Sequence, residues 1–228
     1  MKNVIVGLIG VAGLAGAANA QNLGLSVLSS VDNGATWHSE VNALPGSTVK
    51  VAIWMSGAAD IYGMGGATLR LTATGAGAGD SAAFAAGTDT GRVGPFNFGA
   101  ATNAIFASAG GFRIDAASDA ANNNSSAGLT FFQRDPATAA PGTFSTANPA
   151  MCFRFDVTVG ADGTLRDISM ALDQLSRGLA SYFTASNASR PATAGATLTG
   201  GVIHVVPTPA TLALVGLGGL VAGRRRSR

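Results

Sequence analysis

Charged side chains are scarce in this sequence of 228 residues, since Asp, Glu, Lys and Arg together account for 11% of it, against about a quarter in an average soluble domain. Coiled coils and long solvated helices need many charges along their exposed faces, so both are excluded as the main architecture. Glycine, with 32 residues, is abundant instead. A chain of this length buries about 70% of its unfolded surface, so folding requires neither disulfides nor a structural metal.

Side chains that commonly carry catalysis are also few. The sequence contains two histidines, His38 and His204, and one glutamate, Glu40. It lacks a Gly-x-Ser-x-Gly elbow, a His-Glu-x-x-His pair, a phosphate-binding Gly-Lys-Ser loop and a Cys-x-x-Cys pair, which mark common hydrolase, metalloprotease, nucleotide and redox sites. We therefore predict that the protein is not an enzyme. Cys152, the one cysteine, cannot form an intramolecular disulfide; we expect a small side chain at a strand surface, with an intermolecular disulfide as the alternative.

The positive charge of the chain is concentrated at its two ends. The formal net charge is +2 and the sequence pI is about 9.1. Lys2 and four arginines after position 223 carry five of the 14 positive charges, so residues 21–205 keep nine against 12 carboxylates, a net charge of −3. The remaining arginines are spread singly and form no basic stripe, so we predict that the protein does not bind nucleic acid.

Residues 1–20 have the pattern of a secretory signal peptide. Lys2 precedes an uncharged run from Val4 to Ala17, and Ala18 and Ala20 form a small-x-small cleavage site before Gln21. A buried N-terminal helix is the alternative. Because position 21 is not a cysteine, it offers no thiol for a lipoprotein anchor. We expect an exported protein.

The other end has three parts in a fixed order. A proline motif comes first, then the uncharged segment Ala210–Gly223, and then a cluster of arginines. The 14 residues of that segment span about 21 Å as a helix, which is short of the roughly 30 Å hydrocarbon core of a bilayer. Positive charge stays on the cytoplasmic side, so Lys2 and the arginines place everything between them outside. The motif residues are Val206, Pro207, Thr208 and Pro209, and the arginines are Arg224, Arg225, Arg226 and Arg228.

This tripartite tail, residues 206–228, resembles the PEP-CTERM sorting signal of exported bacterial proteins. It departs from the usual Pro-Glu-Pro motif in having Pro207-Thr208-Pro209. The resemblance implies recognition of the proline motif by a membrane-embedded exosortase, transient membrane attachment through the short transmembrane helix, and stop-transfer by the arginines. It also implies an inner-membrane-tethered intermediate, delivery to the cell surface or extracellular matrix, and an association with exopolysaccharide or biofilm. The alternative is a single-span anchor that is never cut.

In the body between these signals, apolar and polar residues alternate as they do in β-strands. Thr48–Met55, Ala67–Thr74 and Met151–Val159 each place apolar residues at every second position. Turn signals occur at 32–34, 45–46, 63–66, 162–163 and 200–201. Further strands are expected at 25–31, 92–98, 129–134, 164–172 and 197–205, with exposed loops at 75–79 and 116–127.

Many short strands and few helical patterns predict an all-β fold, an antiparallel β-sandwich or jelly-roll-like body over residues 21–205, flanked by an N-terminal signal helix and a C-terminal short transmembrane helix. The alternative is a β-rich fold with one helix at Asp173–Phe183, where Leu175, Leu179 and Tyr182 recur at helical spacing. Residues 43–53 weakly resemble the first strands of cohesin-like sandwich modules.

Two kinds of binding site stay open. Trp54 and Tyr62 could bind sugar rings through an exposed aromatic face, and Trp37 and Tyr182 could extend such a platform. No cofactor is predicted, although calcium is left open because five aspartates could supply oxygens at a sandwich edge; these are Asp32, Asp60, Asp80, Asp162 and Asp167.

Two classes of function follow from these patterns. The first is an exported, non-catalytic surface or extracellular-matrix protein with a structural or adhesive role. The second is a carbohydrate-binding β-sandwich module that holds exopolysaccharide through Trp54 and Tyr62.

Overall fold

The computed structural model describes residues 23–57, 63–100, 102–120, 128–145, 147–182, 189–191 and 196–207. The predicted signal peptide, its cleavage site, Tyr62 and the tail from Thr208 onward lie outside these ranges. Within them, no helix is long and apolar enough to cross a membrane. The helical structure in these ranges is one turn of 3₁₀ helix, Pro136–Thr138.

Thirteen strands form two sheets in the described part of the chain. The first has five strands in the order β12-β1-β3-β9-β5, and the second contains β2-β13-β10-β4-β7-β6, with β11 paired to β10 and β8 paired to β4. The strands are β1 Gly24–Ser30, β2 Glu40–Ala43, β3 Thr48–Ser56, β4 Gly63–Thr74, β5 Ser81–Phe84, β6 Asn103–Ser108, β7 Gly111–Ala116, β8 Leu129–Phe131, β9 Ala150–Thr158, β10 Arg166–Tyr182, β11 Ser189–Pro191, β12 Thr197–Thr199 and β13 Gly201–Val205.

The core lies between the two sheets. Val51 and Phe155 of the first sheet and Leu71 and Ile114 of the second are fully buried in one hydrophobic cluster. Phe112 meets Phe155 edge to face across the two layers, with ring centroids 5.9 Å apart. The all-β sandwich prediction is confirmed for the described residues. It is not purely antiparallel, because β1 pairs with β12 and β2 pairs with β13 in parallel.

The two parallel pairs arise because the chain changes sheets near its end. The sequence predicts one strand over 197–205, but β12 joins the first sheet and β13 joins the second. Gly200 lies between them, and a Cβ there would stand 2.3 Å from the carbonyl oxygen of Met170. A glycine is therefore needed where the two sheets approach each other.

The predicted turn at 63–66 is wrong, because these residues begin β4. The glycines make room for packing instead. A Cβ on Gly63 would stand 2.1 Å from the side-chain nitrogen of Gln133, and one on Gly66 would stand 2.6 Å from the Phe132 ring. Close approach of side chains, and not a turn, requires glycine at these positions.

The alternative helix at Asp173–Phe183 is also wrong, since β10 continues as a strand to Tyr182. It pairs with β4 from Ser169 onward, with register shifts between Gln174 and Leu179 and between Ala180 and Ser181. An irregularity of this kind inserts residues into the strand and breaks the period of two. The interrupted alternation of this irregular strand explains why its apolar residues recur at helical spacing.

The predicted strand at 92–98 is a loop in the structure. Its anchor is Arg92, whose side chain is fully buried and ion-paired with Asp89. The same guanidinium donates to the carbonyl oxygens of Phe98 and Gly99. With the carbonyl oxygen of Asp89, four local backbone and carboxylate acceptors thus fold the segment around one arginine, which excludes an extended strand.

The predicted surface position of Cys152 is wrong as well. The pairing of β3 with β9 shifts so that Ile53 faces Phe153 and Trp54 faces Met151, which leaves Cys152 as an extra residue. Cys152 and Phe153 are consequently both buried, although they are consecutive in the strand. Burial raises the pKa of the Cys152 thiol well above its usual value, so this thiol is protected from oxidation.

Candidate functional site

Trp54 lies on the outer face of the five-stranded sheet. Its neighbours Ile53 and Met55 point into the core, so its own side chain points away from it. The indole is half-buried because Trp37, in the loop after β1, packs against it with ring centroids 5.9 Å apart. Trp37 is itself fixed by a hydrogen bond from its indole nitrogen to the Gly34 carbonyl oxygen, at 3.1 Å.

The two tryptophans do not form a flat platform, because their planes meet at 63°. The side chain of Tyr182 is outside the described part of the structure, as is Tyr62, so the pairing of Trp54 with Tyr62 stays a prediction.

Polar atoms without partners occur on the same two strands as the outer face that carries Trp54. In the described residues, the indole nitrogen of Trp54, Nε of Arg154 and Oδ1 of Asp156 are buried and have no hydrogen-bond partner. Arg154 and Asp156 lie on β9, opposite Ala52 and Lys50 of β3. Alternation along β9 already predicts that both face away from the core. These three atoms are enclosed and not presented to solvent, so the exposed part of this face is made by the two indoles.

Several loops form the end of the sandwich at which β13 stops. We name this end the tail end and define it as residues 44–47, 75–80, 159–165 and Val206–Pro207. The predicted turn at 45–46 is present, with Gly46 at a positive φ of 80° and its amide donating to the carbonyl oxygens of Val159 and Gly160. The predicted exposed loop at 75–79 also belongs to this end. The predicted motif residues Val206 and Pro207 leave the sandwich here.

Asp80 ties the tail end together. Its carboxylate accepts two hydrogen bonds from the guanidinium of Arg166, at 2.9 and 2.6 Å, and one each from the amides of Gly77 and Gly160. Burial acts to raise the pKa of Asp80, but the hydrogen bonds from Arg166, Gly160 and Gly77 outweigh it and lower that pKa. Both carboxylate oxygens are therefore committed to protein donors.

The arrangement does not favour the predicted calcium ligands. Asp32 accepts from the hydroxyls of Ser30 and Thr36, Asp162 accepts from Thr164, and Asp60 lies outside the described residues. Within those residues, no three His, Cys, Asp or Glu side chains are grouped so that they could hold a metal ion.

His204 lies on β13 between two carboxylates. Its Nδ1 is 2.7 Å from Asp167 Oδ1 on β10, and its Nε2 is 3.6 Å from Glu40 Oε2 on β2. The hydrogen bond to Asp167 raises the pKa of His204, and Glu40 adds to the rise. Because both ring nitrogens face carboxylates on an open sheet surface, this histidine is not arranged as a general base beside a nucleophile. The other histidine, His38, contacts the hydroxyl of Thr36.

A buried ion network covers part of the second sheet's outer face, and the sequence gives little sign of it. Arg70 contacts Asp115 at 2.5 Å and Asp119 at 2.7 Å, and Arg113 contacts Asp115 at 3.2 Å. Arg113 also stacks over the Phe106 ring, 4.7 Å from its centroid. These charges satisfy one another, which makes the network a structural clamp between β4, β7 and the loop that follows β7.

No family model and no curated protein matches the chain. Several solved structures do. The seventh type I cohesin of ScaB from Pseudobacteroides cellulosolvens matches with 13% identity, a TM-score of 0.44, and coverage of 82% of this chain and 93% of that chain. The sixth cohesin of scaffoldin B from Acetivibrio cellulolyticus, in complex with a dockerin, matches with 11% identity, a TM-score of 0.40, and coverage of 81% and 99%. A type I cohesin–dockerin complex from Clostridium thermocellum matches with 7% identity, a TM-score of 0.40, and coverage of 80% and 99%.

These modules belong to the class that residues 43–53 weakly resemble. All three identities are below 25% and all three TM-scores are below 0.5, so they say nothing about what this chain binds.

Proposed function

We propose that the protein is an exported, non-catalytic β-sandwich that an exosortase-type membrane transpeptidase sorts to the cell surface or extracellular matrix, where it associates with exopolysaccharide. The observation that carries the proposal is the tail. Its three parts follow one another without a gap. The first part begins directly after the last strand, since β13 ends at Val205 and the motif begins at Val206.

This position of the tail suits a membrane protease. A cleavage motif must be an accessible, extended segment, and Val206 and Pro207 have no strand partners beyond the bond from the Val206 amide to the Ala43 carbonyl oxygen, at 3.0 Å. Proline residues at 207 and 209 also prevent the last strand from continuing into the tail, because proline cannot donate to a sheet. The described part of the motif, Val206 and Pro207, therefore lies beyond the last strand.

A non-catalytic role agrees with the side chains of the described residues. Both nitrogens of His204 face carboxylates, Cys152 is buried, and the Asp80 carboxylate is held by Arg166 and two amides. These three groups are thus occupied or enclosed.

Intact-mass spectrometry of the protein from its exporting cell tests the sorting proposal. We expect a mass that lacks residues 1–20 and Arg224–Arg228. The matched control is a variant with Arg224, Arg225, Arg226 and Arg228 all changed to Ser, which should retain its tail or be released unprocessed. Mature protein that keeps all four arginines would contradict sorting by cleavage and favour the uncut anchor.

A second function, carbohydrate binding by the outer face of the five-stranded sheet, is supported by the half-exposed indole of Trp54 and the Trp37 ring that packs against it. An indole can contact the apolar side of a sugar ring. Affinity electrophoresis in the exopolysaccharide of the producing cell tests this function. Trp54→Ala should abolish retardation, and Phe98→Ala, a change at an exposed aromatic outside this face, should not; equal retardation of both variants would contradict it.

A further inference from the structure

Two exposed apolar side chains lie at the point where the chain leaves the sandwich. Among the described residues, four large hydrophobic side chains are exposed, Val31, Leu44, Phe98 and Leu165, and Leu165 is the most exposed at 69%. Leu44 and Leu165, at 47% and 69%, both belong to the tail end. Single exposed leucines are common on protein surfaces, so their position and not their exposure is informative.

The sheet register fixes that position. Val205, the last residue of β13, pairs with Ala43 on one side and with Arg166 on the other. Leu44 follows Ala43 and Leu165 precedes Arg166, so the two leucines flank the backbone of Val206 as it emerges. The loops that carry them also meet, because a Cβ on Gly163 would lie 4.0 Å from the ring of Pro45.

The tether to the predicted membrane segment is short. Five Cα–Cα steps separate Val205 from Ala210, and an extended chain covers at most about 3.5 Å per residue, or about 17 Å in all. The headgroup layer on each side of a bilayer's hydrocarbon core is itself several ångströms thick. If residues 210–223 enter the membrane, the tail end of the sandwich must lie at or near the lipid headgroups.

We propose that in the anchored precursor the tail end rests on the bilayer, with Leu44 and Leu165 inserted among the headgroups of neutral, zwitterionic lipid. This inference rests on the membrane attachment in the proposed function. The charge of the tail end selects the lipid: Asp162 is an exposed carboxylate there, the guanidinium of Arg166 is paired with Asp80, and His204 lies between Asp167 and Glu40. Anionic headgroups would be repelled, whereas apolar contact with neutral lipid is not.

The proposed contact orients the whole sandwich. β3 runs away from the tail end from Thr48 to Ser56, and its nine residues extend about 30 Å at 3.3 Å each. Gly24, at the start of β1, pairs with Ser56 at the far end. The loops at the far end and the first strand's start would then face away from the membrane.

Bromolipid quenching of a bimane label tests the contact in the full-length chain, reconstituted in phosphatidylcholine nanodiscs. Labels are placed by Leu165→Cys, by Phe98→Cys as the matched control, and by Ala213→Cys as a reporter of membrane entry. Leu165 and Phe98 are both exposed, so neither change disturbs the core, and the buried native thiol of Cys152 does not react under native conditions. Phe98 lies toward the far end, because its amide bonds to Phe132, whose ring packs against Gly66 near the start of β4.

We expect at least a twofold loss of fluorescence at positions 165 and 213 and none at 98. Quenching at 213 without quenching at 165 would overturn the contact and leave the membrane attachment intact. Absence of quenching at 213 would overturn the attachment and the contact together. Equal quenching at 165 and 98 would mean that the sandwich lies on the membrane without a preferred end, which also overturns the inference.

Discussion

One extra residue in β9 decides the chemistry of the single thiol. Because Cys152 lies at the shift in the β3–β9 register, it is buried beside Phe153 and not exposed. Regular alternation predicts the opposite, since it assigns Met151 to the core and Cys152 to the surface. A bulge of this kind depends on the partner strand, so the sequence of β9 alone could not reveal it.

The burial of Cys152 predicts that the folded protein does not react with a thiol reagent. A chromogenic disulfide reagent should release less than about a tenth of an equivalent in buffer and one equivalent in denaturant, because only an exposed thiolate attacks. A Ser81→Cys variant, at an exposed strand position, is the positive control and should react at once. Full reaction of the wild-type protein under native conditions would contradict the buried position.

His204 predicts a small dependence of stability on pH. Its folded pKa is raised by Asp167 and Glu40, so the favourable charge interaction is fully present below the unfolded pKa of about 6.5 and is lost as pH rises through the folded pKa. His204→Gln should cost up to about 1 kcal/mol at pH 5.5 and little at pH 9, because such surface pairs are weak. Urea unfolding at both pH values measures it.

His38→Gln is the matched control for that measurement, because the His38 ring contacts a hydroxyl and no carboxylate. It reports what a histidine-to-glutamine exchange does at a site without a carboxylate partner. An equal loss for His204→Gln at pH 5.5 and pH 9 would show that the imidazole acts through packing or a neutral hydrogen bond and not through its charge.

At the scale of elements, strands with strict alternation were predictable. The structure places β3, β4 and β9 where residues 48–55, 67–74 and 151–159 predict them, because one side of each packs on a common core. Strands β2, β5, β6, β7 and β11 were missed. In β5 and β6 the reason is composition, since Ser81–Phe84 and Asn103–Ser108 contain little but alanine and small polar residues between their few apolar side chains. Their strand state depends on neighbours already in the sheet.

Connections were less predictable than strands, because long-range contacts fix them. The segment around Arg92 has the apolar residues of a strand but folds around a buried guanidinium. In the same way, the loop before β5 is held by Asp80 and Arg166, which are 86 residues apart in sequence. No local pattern indicates such a pair. The candidate face at Trp54 was accessible to sequence reasoning, but its contact with Trp37 was not.

The Asp80–Arg166 pair predicts a large loss of stability when one partner is removed. Asp80→Asn should lower the free energy of unfolding by about 2–4 kcal/mol, because it leaves the Arg166 guanidinium without its carboxylate in a site that is largely buried. The lowered pKa of Asp80 means that its contribution is present above the unfolded pKa and is lost as pH falls through the folded pKa. The variant should therefore also lose stability less steeply on acidification.

Chemical denaturation at pH 7 and at pH 3 measures both effects of Asp80→Asn. Asp162→Asn serves as the control, since this exposed carboxylate accepts only from Thr164 in its own loop, and we expect a much smaller change in the free energy of unfolding. If the two variants were equally stable, Asp80 would not hold the tail end together.

At the scale of the whole molecule, the two ends and the body differ in charge. The body is mildly acidic, and the described part of it contains no basic stripe, because Arg70, Arg92, Arg113 and Arg166 are each paired with a carboxylate. The basic pI therefore belongs to segments that the sorting proposal removes. The fold prediction depends on alternation along the strands, whereas the sorting proposal depends on the linear order of the tail.

This separation predicts how charge changes as the chain matures. Loss of residues 1–20 removes Lys2 and takes the formal net charge from +2 to +1; loss of the four terminal arginines as well takes it to −3. Isoelectric focusing should therefore show a basic species in the membrane fraction and an acidic species at the cell surface. An uncut anchor keeps the arginines and stays basic in every fraction. Because the two outcomes differ by four charges, even a broad focusing gradient separates them. A surface species that focuses above neutral pH would contradict cleavage of the tail. It would not contradict export.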